Sequence, residues 1–526
     1  MSKKLIKSTL VVGSMTLLSR ILGFIRDVVI AQTFGANAST DAFLIAFKIP
    51  NFMRRLFAEG AFSQAFTPIL SEYKTQRDPE EIKSLIDHVA GTLGGLLLLI
   101  SILSMLAAPL LVFIFAPGFI HSPEKFALTG QMLQITFPYL FFIALTAFAG
   151  SVLNTYGQFA IPAFTPVLLN VTMILAAWYL APYFTQPIVA LAWGVFLAGI
   201  LQLLFQLPFL QRLHLLPRPR LNFKHEGVIR IRNLMIPALF GVSVSQINLL
   251  VDTLLASFLV TGSVTWLYYS DRLMEFPVGV FGMALATVIL PNLSKQIAQG
   301  DQERFVLTLD WALRWTFIVV IPATVGLMVM AQPILTTLFH KGQFGQQDVI
   351  MTTRSLLTYS IGMLGFVSVK VLASGYYARQ DTRTPVRIGI IAMITNICLN
   401  LIFIYPLQHA GLALSTSLAA LLNSWLLYRG LRQQNVYTPQ AGWLALLVRI
   451  ALANVVMAAI LWWGTGGINT LQWWLGMGTG ERALRLVIWL TIGMISYFLA
   501  LFIFGLRMCH INLKQTGQNA NSSHLD

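Results

Sequence analysis

Long apolar stretches recur along almost the whole chain, and this feature constrains the fold more than any other. A helix needs about 20 consecutive apolar residues to cross the hydrocarbon core of a bilayer, and within that core the backbone must satisfy its hydrogen bonds internally. Hydrophobic residues make up 56% of the chain and charged residues only 10%, so a large soluble domain does not fit. The sequence therefore predicts an all-α polytopic membrane protein.

The hydropathy pattern predicts fourteen transmembrane helices. The approximate spans are 8–33, 40–71, 88–116, 128–154, 160–182, 187–210, 233–260, 264–294, 306–338, 349–378, 386–405, 410–430, 442–464 and 483–507. Several contain proline, which in membrane helices is common and marks kinks.

The charge of the chain follows the predicted membrane topology. Lysine and arginine outnumber aspartate and glutamate 35 to 20, a formal net charge of +15, which in a soluble chain would suggest nucleic-acid binding. When the loops are assigned to alternating sides of the membrane, 21 basic residues fall on one side, and only Lys125, Lys341 and Arg482 on the other. The side richer in lysine and arginine faces the cytoplasm. We therefore expect both termini in the cytoplasm, an even number of spans and no nucleic-acid partner.

The longest cytoplasmic loop divides the predicted helices into two groups. It runs from about Gln211 to Arg232 and contains Pro217, Pro219 and six basic residues. A short similarity between Phe66–Ser71 and Ile289–Ser294 is consistent with two related bundles. We predict an N-lobe of helices 1–6 (1–215), a C-lobe of helices 7–12 (216–435), helices 13–14 (436–507) and a cytoplasmic tail (508–526).

Ionisable residues cluster within three of the predicted helices, the first, second and eighth, where they are costly. A central arginine costs about 2.5–3.5 kcal/mol on insertion scales. In the first helix Arg20, Gly23 and Asp27 share one face, with Arg26 beside them. The other charged residues are Asp41, Lys48, Arg54, Arg55 and Glu59 in the second helix, and Asp271, Arg272 and Glu275 in the eighth.

Two interpretations of these charges are open. In the first, they form buried ion pairs that hold helices together. In the second, they line a water-filled cationic cavity, because basic residues outnumber acidic ones on these helices and most are arginines. Guanidinium groups bind phosphate and pyrophosphate through paired hydrogen bonds. We favour the cavity, since intramembrane ionisable residues usually mark substrate pathways.

A second polar set lies apart from the arginines. Asp252 stands in an apolar part of the seventh helix. Asn396 and Asn400 share a face of the eleventh helix, and Thr416 lies on the twelfth. Their oxygens suit Na+, and Asp252 alone could carry a proton. A simpler interpretation, in which Asp252 hydrogen-bonds a neighbouring helix and the amides pack, is at least as consistent with the sequence.

Signatures of catalysis are missing from the sequence. It contains no G-x-x-x-x-G-K-[ST] loop for ATP hydrolysis, and the eight histidines lack metal-ligand spacing. We therefore expect a transporter without a bound cofactor rather than an enzyme. The tryptophans of helices 13 and 14 are typical of an interfacial belt, and a lipid-facing groove there is the alternative.

Several segments resemble the MurJ/MviN family of bacterial inner-membrane flippases for lipid II, the undecaprenyl-pyrophosphate-linked peptidoglycan precursor. The segments that carry the resemblance are Ser14–Thr16, Ser19–Asp27, Thr40–Phe43, Phe47–Asn51, Arg54–Phe62 and Asp271–Pro277. The likeness covers nearly the whole chain up to about Arg507. It implies a role in peptidoglycan synthesis, cell-wall biogenesis and cell shape, with lipid II as substrate and cell-wall synthesis and division proteins as partners.

The resemblance also implies a fold and a set of site residues. The fold is that of the multidrug/oligosaccharidyl-lipid/polysaccharide (MOP) exporter superfamily, with two six-helix lobes around a central cavity and a groove for the lipid tail at helices 13 and 14. The implied substrate-binding residues are Arg20, Arg26, Arg54 and Arg272. The implied supporting residues are Ser19, Asp27, Asp41, Lys48, Glu59 and Glu275. The implied Na+ ligands are Asp252, Asn396, Asn400 and Thr416, and coupling to Na+ or to the membrane potential would supply the energy.

Other functions remain as alternatives. A multidrug or other lipid-linked oligosaccharide exporter of the same superfamily would share the fold, but a cationic cavity repels cationic drugs. A membrane enzyme acting on polyprenyl phosphates would need catalytic carboxylates or a metal site, and neither is visible. A structural scaffold would leave the intramembrane arginines unexplained.

Overall fold

The structure, a computed structural model, describes residues 3–506, except for the side chains of residues 3–10, 57–60, 240–246, 283, 284 and 286. Throughout this described part the secondary structure is helical and contains no strand. The all-α fold class predicted from the sequence is therefore confirmed. The chain divides into two compact units, and each is described separately.

The first unit comprises Met1–Thr265 and Gly342–Phe344. Its α-helices are α1 (Lys3–Phe34), α2 (Ala38–Arg54), α3 (Ser63–Gln76), α4 (Pro79–Leu106), α5 (Ala108–Phe115), α6 (Pro123–Thr136), α7 (Tyr139–Thr155), α8 (Ala160–Leu175), α9 (Val189–Arg212) and α10 (Glu226–Ala256). Its core packs α3, α4, α7 and α9 around the rings of Phe62, Phe66 and Phe148. Helix α10, the seventh predicted span, packs against α3 and α4.

The second unit comprises Trp266–Lys341 and Gly345–Asp526. Its α-helices are α11 (Ser263–Pro277, which begins in the first unit), α12 (Met283–Ala298), α13 (Gln302–Val329), α14 (Ala331–Leu338), α15 (Gln346–Ile361), α16 (Met363–Tyr377), α17 (Arg383–Leu407), α18 (His409–Gln433), α19 (Trp443–Gly464), α20 (Thr470–Leu475) and α21 (Thr479–Ile503). Helices α19 and α21 pack on α13, and the hydroxyl of Tyr497 donates to the carbonyl of Ile318 (2.7 Å).

Within the described residues, eleven helices are long and apolar enough to cross a membrane. The first, second and seventh predicted spans are not among them. The first two carry the charges of α1 and α2, which lower their hydropathy, and the seventh includes the undescribed side chains 240–246, leaving Ile247–Ala256 as a shorter apolar helix. The number fourteen and the predicted lobe boundaries at residues 215 and 435 remain predictions.

Both predicted spans that carry Arg54 and Arg272 contain a π-helical segment on the C-terminal side of the arginine, and a third π-helical segment, Ala176–Leu180, lies in the fifth predicted span. Arg55–Phe62 follows Arg54 in the second span, and Val278–Gly282 follows Arg272 in the eighth. Each of these two segments leads into a further α-helix containing proline, Pro68 in α3 and Pro291 in α12. Segments of this kind often occur at functional sites.

The linker between α18 and α19 is anchored to α13 by a buried carboxylate. Asp310, 3% exposed, accepts hydrogen bonds from the hydroxyl of Tyr437 (2.6 Å), the indole N–H of Trp443 (2.8 Å) and Nε of Arg314 (2.6 Å). Arg314 also donates to the carbonyl of Ala441 (2.7 Å). These hydrogen bonds hold the linker and the start of α19 against α13.

A buried arginine joins three segments at the other end of the second unit. Arg482, 7% exposed in α21, donates to the carbonyls of Trp474 and Leu475 (2.8 Å each) at the end of α20. Its Nη1 lies 3.3 Å from Nδ1 of His340, in the loop after α14. Burial and the adjacent positive charge of Arg482 lower the pKa of His340.

Acidification is expected to destabilise this contact. The pKa of His340 is lower in the folded protein than in the unfolded chain, so its stabilising contribution is complete above the unfolded pKa of about 6.5 and is lost as the pH falls through the folded pKa. The thermal unfolding midpoint of the detergent-solubilised protein should therefore drop further between pH 7.5 and pH 5.5 than that of His340→Gln. Equal drops in both proteins would contradict this assignment.

Candidate functional site

Arg26 and Asp27 of α1 form a buried polar contact that also includes Asn170 of α8. The side chains are 5% and 3% exposed, and Nη2 of Arg26 lies 2.6 Å from Oδ1 of Asp27. Nη1 of Arg26 also donates to Oδ1 of Asn170 in α8 (3.1 Å), and Nδ2 of Asn170 donates to the carbonyl of Ser19 (3.0 Å). The side chain of Asn170 packs against Gly23, where a Cβ would lie 3.4 Å from its amide nitrogen. Asn170 thus links the predicted residues of α1 to a second helix.

Asp41 forms a second buried contact, which we call the Asp41 clasp (Asp41, Lys125, Gly262 and Thr265). Oδ2 of Asp41 accepts from Nζ of Lys125 (2.8 Å) and from the N–H of Gly262 (2.8 Å). Oδ1 accepts from the N–H and hydroxyl of Thr265 (3.0 and 2.7 Å). Asp41 is 1% exposed, and Lys125 is 7% exposed and lies over the ring of Phe119. The clasp therefore joins α2, α6 and the start of α11 with the residue just before it.

Lys125 was not predicted from the sequence as the partner of Asp41. Lys125 stands near the start of a helix, just after Pro123, and the hydropathy pattern places it in a loop. The only available signal was the presence of a carboxylate at membrane depth, since such a group requires a partner.

Lys48 connects α2 to the part of α10 that contains Asp252. Its Nζ donates to Oγ1 of Thr253 (3.0 Å), which donates to the carbonyl of Leu249 (2.6 Å). Thr253 is buried, whereas Lys48 and Asp252 are half-buried. In the sequence Asp252 has no basic residue within a helical turn. In the fold Lys48 contacts Thr253, the residue that follows Asp252.

Arg54 ends α2 immediately before the π-helical segment. Its side chain is half-buried, and its Nε donates to Oδ1 of Asn51, one turn earlier (3.2 Å). Asn51 in turn donates to the carbonyl of Phe47 (2.9 Å). Arg20 is also half-buried, on α1. The predicted supporting residue Glu59 has a side chain that lies outside the described residues.

Arg272 is oriented by two residues of its own helix, α11. Its Nη1 donates to Oε2 of Glu275 (3.0 Å), and its guanidinium carbon lies 5.3 Å from the ring centre of Tyr268. The side chains of Arg272 and Glu275 are 34% and 54% exposed. A guanidinium stacked on an aromatic ring and held at one end keeps a defined orientation while remaining accessible.

The predicted cation ligands are divided between the two units. In the second unit Asn396 and Asn400 are fully buried on α17, and the hydroxyl of Thr416 on α18 lies 3.5 Å from Oδ1 of Asn396. Asp252 belongs to the first unit. Amide and hydroxyl oxygens are suitable ligands for a hard cation. Among the described residues no group of three or more histidine, cysteine, aspartate or glutamate side chains could hold a metal ion.

Comparison with known proteins gives a consistent result over nearly the whole chain. Residues 30–479 match the family model described as lipid II flippase MurJ. The chain is 51% identical over 516 residues to a probable lipid II flippase MurJ of Vibrio cholerae, covering 96% of this chain and 97% of that protein. It is 42% identical over 512 residues to the lipid II flippase MurJ of Burkholderia cenocepacia, covering 96% and 98%.

Solved structures show the same relationship. A lipid II flippase MurJ in an inward closed conformation matches with a TM-score of 0.79 at 29% identity, covering 94% of this chain and 98% of that one. An inward-facing MATE-family multidrug transporter of the MOP superfamily matches with a TM-score of 0.67 at 14% identity, covering 81% and 98%. The second likeness shows a shared fold alone.

Proposed function

The chain belongs to the lipid II flippase MurJ family, and on that premise we propose that it carries lipid II from the cytoplasmic to the periplasmic leaflet by alternating access. It is a multi-pass membrane protein with a fold shared with transporters of the MOP superfamily. Its activity is lipid transport rather than catalysis, and lipid II is its substrate.

The oriented and accessible guanidinium of Arg272 carries the proposal for the substrate site. Lipid II presents a pyrophosphate, whose oxygens accept the paired hydrogen bonds that an arginine fork donates. Arg20 and Arg54 are half-buried and of the same chemistry, and we assign all three to the pyrophosphate. In the described conformation Arg26 is buried against Asp27 and Asn170. We assign Arg26 to positioning α1 against α8.

The supporting residues would act through the arginines and the helices that bear them. Glu275 orients Arg272, and Ser19 and Asp27 fix the surroundings of Arg26. Asp41 and Lys48 hold α2 against its neighbours within the first unit. These roles explain why acidic groups accompany a site that binds an anion.

The energy source is proposed separately from the site. Moving a cationic site across a membrane that is negative inside is worth about 2.3 kcal/mol per charge per 100 mV, which would favour return of the emptied protein to its inward-facing state. Asp252, Asn396, Asn400 and Thr416 would hold Na+, which would supply coupling energy when bound. The buried amide and hydroxyl of Asn396 and Thr416 fit this use, and the neutral side chain of Asn400 limits the charge of the site.

We also propose a bacterial inner-membrane location with both termini in the cytoplasm, as the distribution of lysine and arginine favours. The flipped lipid II would pass to the enzymes that polymerise peptidoglycan, so proteins of cell-wall synthesis and division are the expected partners. A groove for the lipid tail at helices 13 and 14 is supported by exposed apolar residues on α19 and α21.

Recognition of the pyrophosphate can be tested by competition. Undecaprenyl pyrophosphate should displace lipid II from the purified protein, undecaprenyl phosphate should do so at least tenfold more weakly, and undecaprenol should not compete, because each lost phosphate removes charge-assisted hydrogen bonds. Displacement of labelled lipid II gives the three affinities. Equal competition by all three lipids would place recognition in the tail and overturn the assignment. Export of cationic drugs by the same preparation would instead favour the multidrug alternative.

A further inference from the structure

The loop between α9 and α10 is held along α4 by its backbone. The N–H of Arg218 donates to Oδ1 of Asp87 (2.7 Å), and the N–H of Arg220 donates to the carbonyl of Asp87 (3.0 Å). Lys83 contacts the same carboxylate. The N–H of Asn222 lies 3.4 Å from Oγ1 of Thr92. Alternate residues of the loop are thus fixed at two positions on α4, Asp87 and Thr92, and the loop has a defined course.

Two glycines of α4 make this close contact possible. A Cβ on Gly91 would lie 2.4 Å from the backbone nitrogen of Arg220, and a Cβ on Gly95 would lie 2.8 Å from Cδ2 of Leu221. Any larger residue at Gly91 would displace the loop backbone. The loop therefore lies directly on α4, with Leu221 beside Gly95.

Apolar side chains of this loop are nevertheless exposed. Leu216 is 38% exposed, Leu221 69% and Phe223 59%. Immediately beyond Gly95, α4 presents its own exposed apolar residues, among them Leu96 and Leu99, within a helix apolar enough to span the membrane. The loop thus lies beside the point at which α4 begins to expose its apolar residues, and its own apolar side chains extend that exposed surface.

Basic residues alternate with the apolar ones. Arg218, Arg220 and Lys224 are exposed around Leu221 and Phe223. Apolar side chains at the acyl boundary with lysine and arginine at the headgroup level are typical of segments that bind anionic membrane surfaces. Since the loop has the charge of a cytoplasmic segment, the surface it meets is the cytoplasmic leaflet.

We propose that residues 216–224 form a binding site for anionic phospholipid on the cytoplasmic leaflet. Arg218, Arg220 and Lys224 contact the headgroup phosphates, and Leu221 and Phe223 insert at the top of the acyl chains. The fixed backbone distinguishes this site from a flexible basic loop, because the cations are held in place before lipid binds. The proposal depends on the membrane location of the chain and not on its transport activity.

The test compares lipid retention by the full-length protein and two charge-matched variants. Protein purified in detergent is titrated with phosphatidylglycerol or with phosphatidylcholine of the same acyl chains, and bound lipid is counted by native mass spectrometry. One variant combines Arg218→Gln, Arg220→Gln and Lys224→Gln. The control combines Lys295→Gln, Arg304→Gln and Arg387→Gln, which removes three exposed basic residues from the second unit.

The wild-type protein should retain phosphatidylglycerol in preference to phosphatidylcholine. The loop variant should lose roughly fivefold in affinity per charge removed, and the control should stay within about twofold of wild type. Phe223→Ser should weaken retention of both lipids equally. Equal losses in the loop and control variants, or no preference for phosphatidylglycerol in wild type, would overturn the site. Displacement of the lipid by inorganic phosphate alone would identify a small-anion site and overturn the lipid assignment.

Unfolding is separable from loss of binding in this design. The contacts that fix the loop on α4 use backbone N–H groups, so the substituted side chains are not required for its course. The thermal unfolding midpoint of the loop variant without lipid should match that of wild type. The added phosphatidylglycerol should then raise this midpoint in wild type and in the control, but not in the loop variant.

Discussion

Arg272→Ala is expected to abolish lipid II flipping while the protein still inserts into the membrane. The substitution removes a guanidinium that Glu275 and Tyr268 hold in place, and with it two or more charge-assisted hydrogen bonds to the pyrophosphate. Each such bond contributes about 1.5–3 kcal/mol, so lipid II affinity should fall by about a hundredfold or more. Complementation of cells depleted of their own flippase measures the loss of flipping.

Two variants separate the role of the fork from that of the charge. Arg272→Lys keeps the charge but not the planar fork and should retain partial activity. Arg304→Ala removes an arginine of the same unit whose side chain is 75% exposed and paired with Asp301, and it should leave flipping unchanged. Full complementation by Arg272→Ala at normal membrane levels would contradict the proposed substrate site.

The second large effect is expected from Asp41→Ala. This substitution leaves Lys125 buried at 7% exposure without its carboxylate and removes the acceptor of the Gly262 and Thr265 groups. Removing one partner of a buried ion pair lowers the free energy of unfolding by about 3–5 kcal/mol. This is a large fraction of the stability of most proteins. The amount of folded protein in the membrane and its thermal unfolding midpoint in detergent should both fall sharply.

A double variant distinguishes the structural role of Asp41 from a role in substrate binding. Asp41→Ala with Lys125→Met removes both charges and should recover a substantial part of the lost stability. Glu72→Ala is the control, because Glu72 forms an exposed ion pair with Arg230 (2.7 Å, side chains 39% and 38% exposed), and exposed pairs contribute little. A stable double variant that still fails to flip lipid II would show that the Asp41–Lys125 pair acts in transport as well as in folding.

The sequence was sufficient for the fold class and the family. Apolar stretches predict membrane helices because only helices and closed barrels satisfy the backbone in lipid, and the resemblance rested on charged segments of α1, α2 and α11. The family of the chain is established by relatives matching almost its entire length. Among the described residues, hydropathy identifies eleven of the fourteen predicted spans, because the charges of α1 and α2 lower the hydropathy of the first two.

The partners of the site residues could not be read from the sequence. Asp41 and Lys125 are 84 residues apart, and Arg26 and Asn170 are 144 apart. An ionisable side chain at membrane depth requires a partner. The residue that supplies the partner depends on how the helices pack. Asn170, Thr253 and Lys125 were missed for this reason. The π-helical segments after Arg54 and Arg272 were missed because they leave no mark on hydropathy.

The acidic residues of the charged helices divide between the two interpretations of the sequence, buried ion pairs and a cationic binding cavity. Asp27 and Asp41 are buried and contact basic side chains directly, as expected of groups that hold helices together. Glu275 is more than half exposed and contacts an accessible arginine, as expected at a binding surface. Asp27 and Asp41 are therefore assigned to ion pairing, and Glu275 to the substrate-binding site. Asp41→Ala tests the first assignment, and Arg272→Ala tests the second.

The most direct test of the proposed flippase activity is to measure which side of the membrane lipid II occupies in living cells. When the protein is depleted, lipid II should become inaccessible to a toxin that acts only on the periplasmic side, and it should accumulate inside. Re-expression of wild type should restore access, and Arg272→Ala should not. Undiminished access during depletion, with lipid II synthesis reduced instead, would contradict a flippase and indicate a role in making the precursor.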